Sequence, residues 1–334
     1  MRKLMAWGIV VVATASCGSP VGSSQVAQQA PTPQIESVPA TPAIAARPLT
    51  LREKVNLGFQ KHDAGEYDTA AGIFLDAATQ APAARSLAAR SMMEAGRLAD
   101  AYQQAVQAVR EADCFPVTHF MLGLVAERNG HHDEAVEEYL RTLDRAPNDA
   151  GAHNNLGGLY YHREDFTRGR FETEEALRLA TDNLGKSIAL SNLAEFDEID
   201  GKLVQAEERL DSALSISPDD APAYFGLAEL YDVTGRPDAA IKMAQTGLDI
   251  DRLGVTRRSE SFVWPELQLH HDALLAEARF DRAAANEKWS AILSIEQKGD
   301  LKFAPLKGVA ESHLKALSTP TDAPAAQVVP IATR

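Results

Sequence analysis

Gly65-Glu66-Tyr67-Asp68-Thr69-Ala70, followed by Phe74, Ala77 and Pro82, is the stretch from which the rest of the chain can be read. Its marked positions return as Gly130, His132, Ala135, Tyr139 and Pro147, and then as Gly201, Leu203, Ala206, Leu210, Ala213 and Pro218. They return again as Gly235, Pro237, Ala240, Ala244 and Gly247. From Gly65 to Gly235 is 170 residues, five steps of 34; the individual steps run 31 to Gly96, 34 to Gly130, 34 to Glu164, 37 to Gly201 and 34 to Gly235. A fixed period of this length is the mark of stacked repeats. Within a unit the marked places fall at i, i+3, i+4 and i+7 on a first helix. Ala206, Leu210, Ala213 and Leu214 fall at i, i+4, i+7 and i+8 on a second, so each helix carries an apolar stripe. Small residues such as Gly157 and Ala240 let paired helices approach closely, and Pro147 or Pro218 ends the second helix because proline cannot continue the hydrogen-bond ladder. One such pair cannot bury both of its faces, so the units must stack.

The first helix of each unit has its own signature. Leu57-Gly58, Leu122-Gly123, Leu156-Gly157 and Leu227-Ala228 sit at matching places, each followed three residues on by Lys61, Ala126, Tyr160 or Tyr231. His119, His153 and Tyr224 precede them. Period and residues together resemble the tetratricopeptide repeat, a helix-turn-helix unit of about 34 residues. The resemblance covers Leu51 to about Arg252 as six units, with a degenerate seventh from Trp264 to Ile295. It implies an all-α, right-handed superhelix (an α-solenoid) of six to seven units. The expected organisation is a signal peptide over 1–16, a Pro/Ser/Gln-rich disordered tether over 17–48 and six units over 49–252. The degenerate seventh unit and a capping helix follow over 253–317, then a disordered tail over 318–334.

Arg2 and Lys3, an apolar run from Leu4 to Ala15 and small residues before Cys17 have the layout of a secretory signal. Thr14-Ala15-Ser16-Cys17-Gly18 resembles the lipobox of bacterial lipoproteins, which implies acylation of Cys17 and attachment to the outer membrane, facing the periplasm or the exterior. Thr14 replaces the usual aliphatic residue and leaves a soluble secreted or periplasmic protein as the alternative.

Composition narrows the function. With 33 Lys+Arg against 47 Asp+Glu, a net charge of −14 in 334 residues lacks the clustered cations that displace counterions from nucleic acid, which is excluded as a partner. Hydrophobic residues at 45% with only 6% aromatic fit Ala- and Leu-rich packed helices. No nucleotide-cradling glycine loop, serine elbow, haem-attachment motif or paired cysteines occur. No catalytic residue, cofactor or metal is expected. His131-His132-Asp133 falls on a turn, and His270-His271-Asp272 lies in a helix, where neighbours diverge by about 100°. Cys114, just before Phe115-Pro116, reads as a small buried hydrophobe. The alternative to a noncatalytic protein is an enzyme or enzyme subunit using Trp264, His270, His271, Asp272 and Trp289, although that region shows no nucleophile, base and orienting group together.

The resemblance further implies a concave groove lined by the first helices. Its expected residues are Phe120 and Leu124 in the third unit, Tyr161 in the fourth, Glu195 and Glu198 in the fifth, and Phe225, Glu229 and Asp232 in the sixth. An apolar end beside an acidic end suits a protein or peptide partner with hydrophobic anchors and Lys or Arg. Phe120 and Leu124 stand where chaperone-adaptor members of the family present the Lys and Asn of a carboxylate clamp. Asn155 and Asn192, at the same place in consecutive units, are similar to a short version of the asparagine ladder of the O-linked N-acetylglucosamine transferase superhelix. Hydrogen bonding between helices is the other reading of that pair. The expected function is a lipid-anchored envelope scaffold or adaptor, with pilotin-like and envelope-assembly roles among those it resembles.

Overall fold

The computed structural model describes residues 47–250, 265–298 and 305–318. The signal and lipobox, Cys17 and most of the tether lie outside the described residues, as do Trp264 and the tail. Every regular element among the described residues is a helix. None of these helices is long and apolar enough to cross a membrane.

The fifteen helices among the described residues follow the repeat. In the first of two compact units, which divide after Ala152, α1 (Leu51–Asp63) pairs with α2 (Tyr67–Ala78), α3 (Ala84–Glu94) with α4 (Leu98–Ala112), and α5 (Pro116–Arg128) with α6 (His132–Arg145). The second unit opens on α7 (Ala150–His162) and α8 (Phe166–Leu179). It continues as α9 (Asn183–Ile199) with α10 (Leu203–Ile216), α11 (Ala221–Val233) with α12 (Pro237–Ile250), and α13 (Pro265–Ala278) with α14 (Arg282–Gln297). A last helix, α15 (Leu306–Ser318), packs on α14. The division after Ala152 is a feature that the unbroken period over 49–252 does not announce.

The turns explain the punctuation of the sequence. Gly65, Gly96, Gly130, Gly201 and Gly235 all have φ between +71° and +79°, the left-handed region that ends a helix. At the first of them the N–H of Glu66 reaches back to the Lys61 carbonyl at 2.9 Å, closing the last turn of α1. Glu164 holds the same conformation at φ 60°, as its place in the period requires, and so does Phe280, at the turn of the degenerate seventh pair. Phe280 is 92% exposed. At the other end of α1, Thr50 and Glu53 form a capping box, each side chain bonding the other's backbone N–H. Arg47 donates to Glu53 Oε2 at 2.9 Å, which ties residues assigned to the tether onto the first helix.

Close helix pairing rests on small residues. A Cβ added to Gly157 on α7 would overlap Thr173 Oγ1 on α8, and one on Gly123 would meet the Tyr139 ring at 2.9 Å. The first unit buries Ala71, Met92, Met93, Ala101, Ala105 and Leu122 together. The second buries Leu274, Leu275, Trp289, Ile292 and Leu306 around α13, α14 and α15, each aliphatic side chain contributing about 1.5–3 kcal/mol. The capping helix of the sequence reading therefore has a core face, which includes Val309, Ala310 and His313. Cys114, expected to be buried, lies exposed in the turn that leads into α5.

Candidate functional site

The second unit gathers most of the residues singled out from the sequence. On α11, Phe225, Glu229 and Asp232 stand at i, i+4 and i+7 and so share a face. The helix packs on α9, α13 and α15. Asp232, 4% exposed, accepts from Nε2 of His270 at 2.7 Å through one oxygen and from Nε2 of His313 at 2.8 Å through the other. His313 also donates through Nδ1 to Glu277 Oε1 at 2.7 Å, the oxygen to which Trp289 Nε1 donates at 2.6 Å. The Trp289 ring stacks on the His313 imidazole with centroids 4.4 Å apart. Four helices thus meet in one polar node.

Electrostatics follow from this pairing. Burial opposes charge on Asp232, but the hydrogen bonds it accepts from His270 and His313 hold it below the usual carboxylate range. Burial likewise disfavours the imidazolium of His313, and the hydrogen bonds and charges of Asp232 and Glu277 outweigh it, raising the group to about 9. The node contains a paired cation, His313, with a carboxylate on each ring nitrogen, as a buried charge requires.

Beside it is a cavity of about 100 Å³, lined by Tyr161, Ser191, Glu195, Glu198, Phe225, Glu229 and His271 among others. That is room for several waters or the head of one long side chain. Among the described residues lining it, none is Lys or Arg. Burial first, then the negative charges of Glu229 and Glu195, push Glu198 well above the usual carboxylate range despite the opposing His271. The same burial and three carboxylates drive Tyr161 well above 10. Burial disfavours the Glu229 charge as well, but its pairing with His271 Nε2, 3.4 Å away, keeps it low. The Oγ of Ser191 is buried and makes no hydrogen bond.

Several expectations need correction. Asp232 is consumed by the node and is closed to a basic partner. Phe120 is 4% exposed and packs on Tyr139 with ring centroids 5.6 Å apart, and Leu124 packs partly buried against the first unit's core; both serve that core. Phe225, 3% exposed, lines the cavity but is otherwise buried in the core of the second unit. The amide of Asn192 donates to Asn154 Oδ1 at 2.9 Å, so the rung it forms is with Asn154 and lies between helices; Asn155 is half-buried on α7. His270 and His271, set apart by their helical divergence, each bring a ring nitrogen, with an oxygen of Glu229, to within 4.8 Å of one another.

Other polar contacts were missed. His119 Nδ1 pairs with Glu138 Oε2 at 2.6 Å and His153 Nδ1 with Glu172 Oε2 at 2.6 Å, one within each unit. Both pairs span 19 residues, from first helix to second. That recurring spacing was the signal. His313, 81 residues from Asp232, left no such trace.

Family models described as tetratricopeptide repeat match residues 120–183 and 199–253. Protein O-mannosyl-transferase TMTC3 of Homo sapiens is 24% identical over 213 residues, covering 55% of this chain and 22% of that protein. The chain therefore spans about a fifth of the length of that curated relative. Among solved structures, the APC/C hetero-tetramer Cut9-Hcn1 matches with a TM-score of 0.56 at 18% identity, over 66% of this chain and 44% of that one. A tetratricopeptide repeat protein from Parabacteroides merdae matches with a TM-score of 0.50 at 15% identity, over 80% of this chain and 99% of that one. The chain carries tetratricopeptide repeats in an all-helical solenoid fold.

Proposed function

We propose that this protein is a noncatalytic scaffold or adaptor that takes a basic segment of a partner protein into the acidic cavity of its second unit, and that it works at a bacterial envelope, anchored through acylated Cys17. The observation that carries the reading is the cavity itself. Glu195, Glu198 and Glu229 converge on it, and among the described residues lining it the basic side chains are the two histidines His162 and His271. A Lys or Arg head group entering there would pair with Glu198, which burial and then the neighbouring carboxylates push upward. Repeats of this kind are widely used to bind proteins, which supports the class of function. The anchor rests on the lipobox residues alone, and an envelope-assembly or pilotin-like role rests on the combination of lipobox and repeats. An enzymatic reading loses support because Trp289 and His270 are fully buried and held in the node, where they stabilise the packing of α11, α13, α14 and α15.

A photo-crosslinking residue at exposed Glu195 tests it. In intact cells it should capture a partner segment containing Lys or Arg, and Glu198→Lys should abolish capture. The same crosslinker at Phe171, 58% exposed on α8, is the control. Equal capture from Phe171, or capture that survives Glu198→Lys, would place the interaction elsewhere.

A further inference from the structure

We propose that Glu229, His270 and His271 form a binding site for a borderline divalent metal ion of the Zn²⁺ kind. One oxygen of Glu229 and one ring nitrogen of each histidine lie within 4.8 Å of one another, contributed by α11 and by consecutive residues of α13. Two imidazoles and a carboxylate are a donor set that Zn²⁺ and neighbouring transition ions accept, whereas Mg²⁺ and Ca²⁺ prefer oxygen donors.

The second observation is His270 itself. It is fully buried, its Nε2 is engaged with Asp232 at 2.7 Å, and its Nδ1 makes no hydrogen bond. A carboxylate accepts, so Nε2 is committed to Asp232 and Nδ1 is the ring nitrogen left for a ligand. A buried polar nitrogen without a partner is destabilising unless something binds it. A carboxylate on the far nitrogen is also how metal-binding histidines are oriented and made more basic. Asp232 is in turn fixed by His313, so the imidazole is held from behind by two further groups.

His271 and Glu229 complete the set at the edge of the cavity, with side chains 11% and 15% exposed. An ion there has a path to solvent, and the three protein donors leave a fourth position for water or an incoming group.

Zn²⁺ binding to the full-length, untagged chain after EDTA treatment and dialysis, measured in competition with a chromophoric chelator, tests the proposal. The expected result is one equivalent bound, with Co²⁺ giving the visible bands of a tetrahedral site. Asp232→Asn should weaken Zn²⁺ about 10–100-fold, the usual effect of removing the carboxylate behind a ligand histidine, and His271→Ala by more than that. Glu195→Gln should leave the affinity unchanged. Circular dichroism shows that each variant remains folded; Glu229→Gln, which keeps the side-chain volume, replaces any that does not. Absence of stoichiometric binding, or equal affinity for His271→Ala and Glu195→Gln, would overturn the site. Partner capture repeated in EDTA separates this result from the scaffold reading, which needs no metal.

Discussion

Raising the pH from 6 to 9.5 should loosen the second unit through one residue, His313. Its imidazole is raised to about 9 from an ordinary value of 6.5. A group whose folded value is raised stabilises fully below its unfolded value and loses that contribution as pH climbs through the folded one. The difference of about 2.5 pH units, at about 1.4 kcal/mol per unit, sets the contribution at up to about 3 kcal/mol at pH 6, gone above pH 9. Screening takes little from it, because the His313 side chain is only 5% exposed and its partner Asp232 2%. Asp232, held low, acts on the opposite limb: its contribution is present above the ordinary carboxylate value and fades as pH falls below it. Urea unfolding in EDTA, followed by Trp289 fluorescence in a chain carrying Trp7→Phe and Trp264→Phe, reports on the node, since Trp289 stacks on His313. His313→Gln cannot take up a proton, so its stability should be flat where that of the parent falls. Parallel curves for the two chains between pH 6 and 9.5 would refute the reasoning, whatever their absolute stabilities.

In the first unit, burial raises Glu127 to about 7 despite the hydrogen bond it accepts from Tyr139. Its protonated form favours the fold, so Glu127→Gln should stabilise this unit by about 1–3 kcal/mol at pH 8 and by nothing below pH 4, as read by chemical denaturation. Gly157→Ala should destabilise the second unit by about 1–3 kcal/mol through overlap with Thr173, and Thr173→Ser should not restore it because the hydroxyl remains. Gly96→Ala meets no atom but keeps φ at +79°, and should lower the first unit's stability by about 1 kcal/mol in thermal melts. Labelling with a radioactive fatty acid should fail in Cys17→Ala if Cys17 is the acylated residue; equal incorporation would rule the anchor out.

The helices were legible because their causes are local. Gly at a left-handed turn, small residues at the helix crossing and an apolar stripe recur every 34 residues, and even Glu164 could be placed by counting. Local rules also read the face of α11 that carries Phe225, Glu229 and Asp232. What such rules cannot supply is what that face meets. A helix position equivalent to an exposed groove in other repeats is here covered by a later element, because α15 returns His313 to Asp232. The same closure separates the two acids that looked alike in sequence: Asp232 gains two histidine donors and stays charged, whereas Glu198 gains burial without a cation.

The histidines make the point most sharply. Divergence by about 100° per residue argued against His270 and His271 acting together, yet a helix fixes only where the Cβ atoms point, and an imidazole reaches well beyond that. Asp232 holds Nε2 of His270, Nε2 of His271 lies 3.4 Å from Glu229, and one ring nitrogen of each histidine comes within 4.8 Å of a Glu229 oxygen. Adjacent residues on a helix can therefore serve one site when a neighbouring helix supplies an acid to each. Here both acids come from α11, three residues apart, which is the spacing that puts them on one face of that helix. The chemistry of this unit is thus set by the pairing of α11 with α13, across the degenerate part of the repeat.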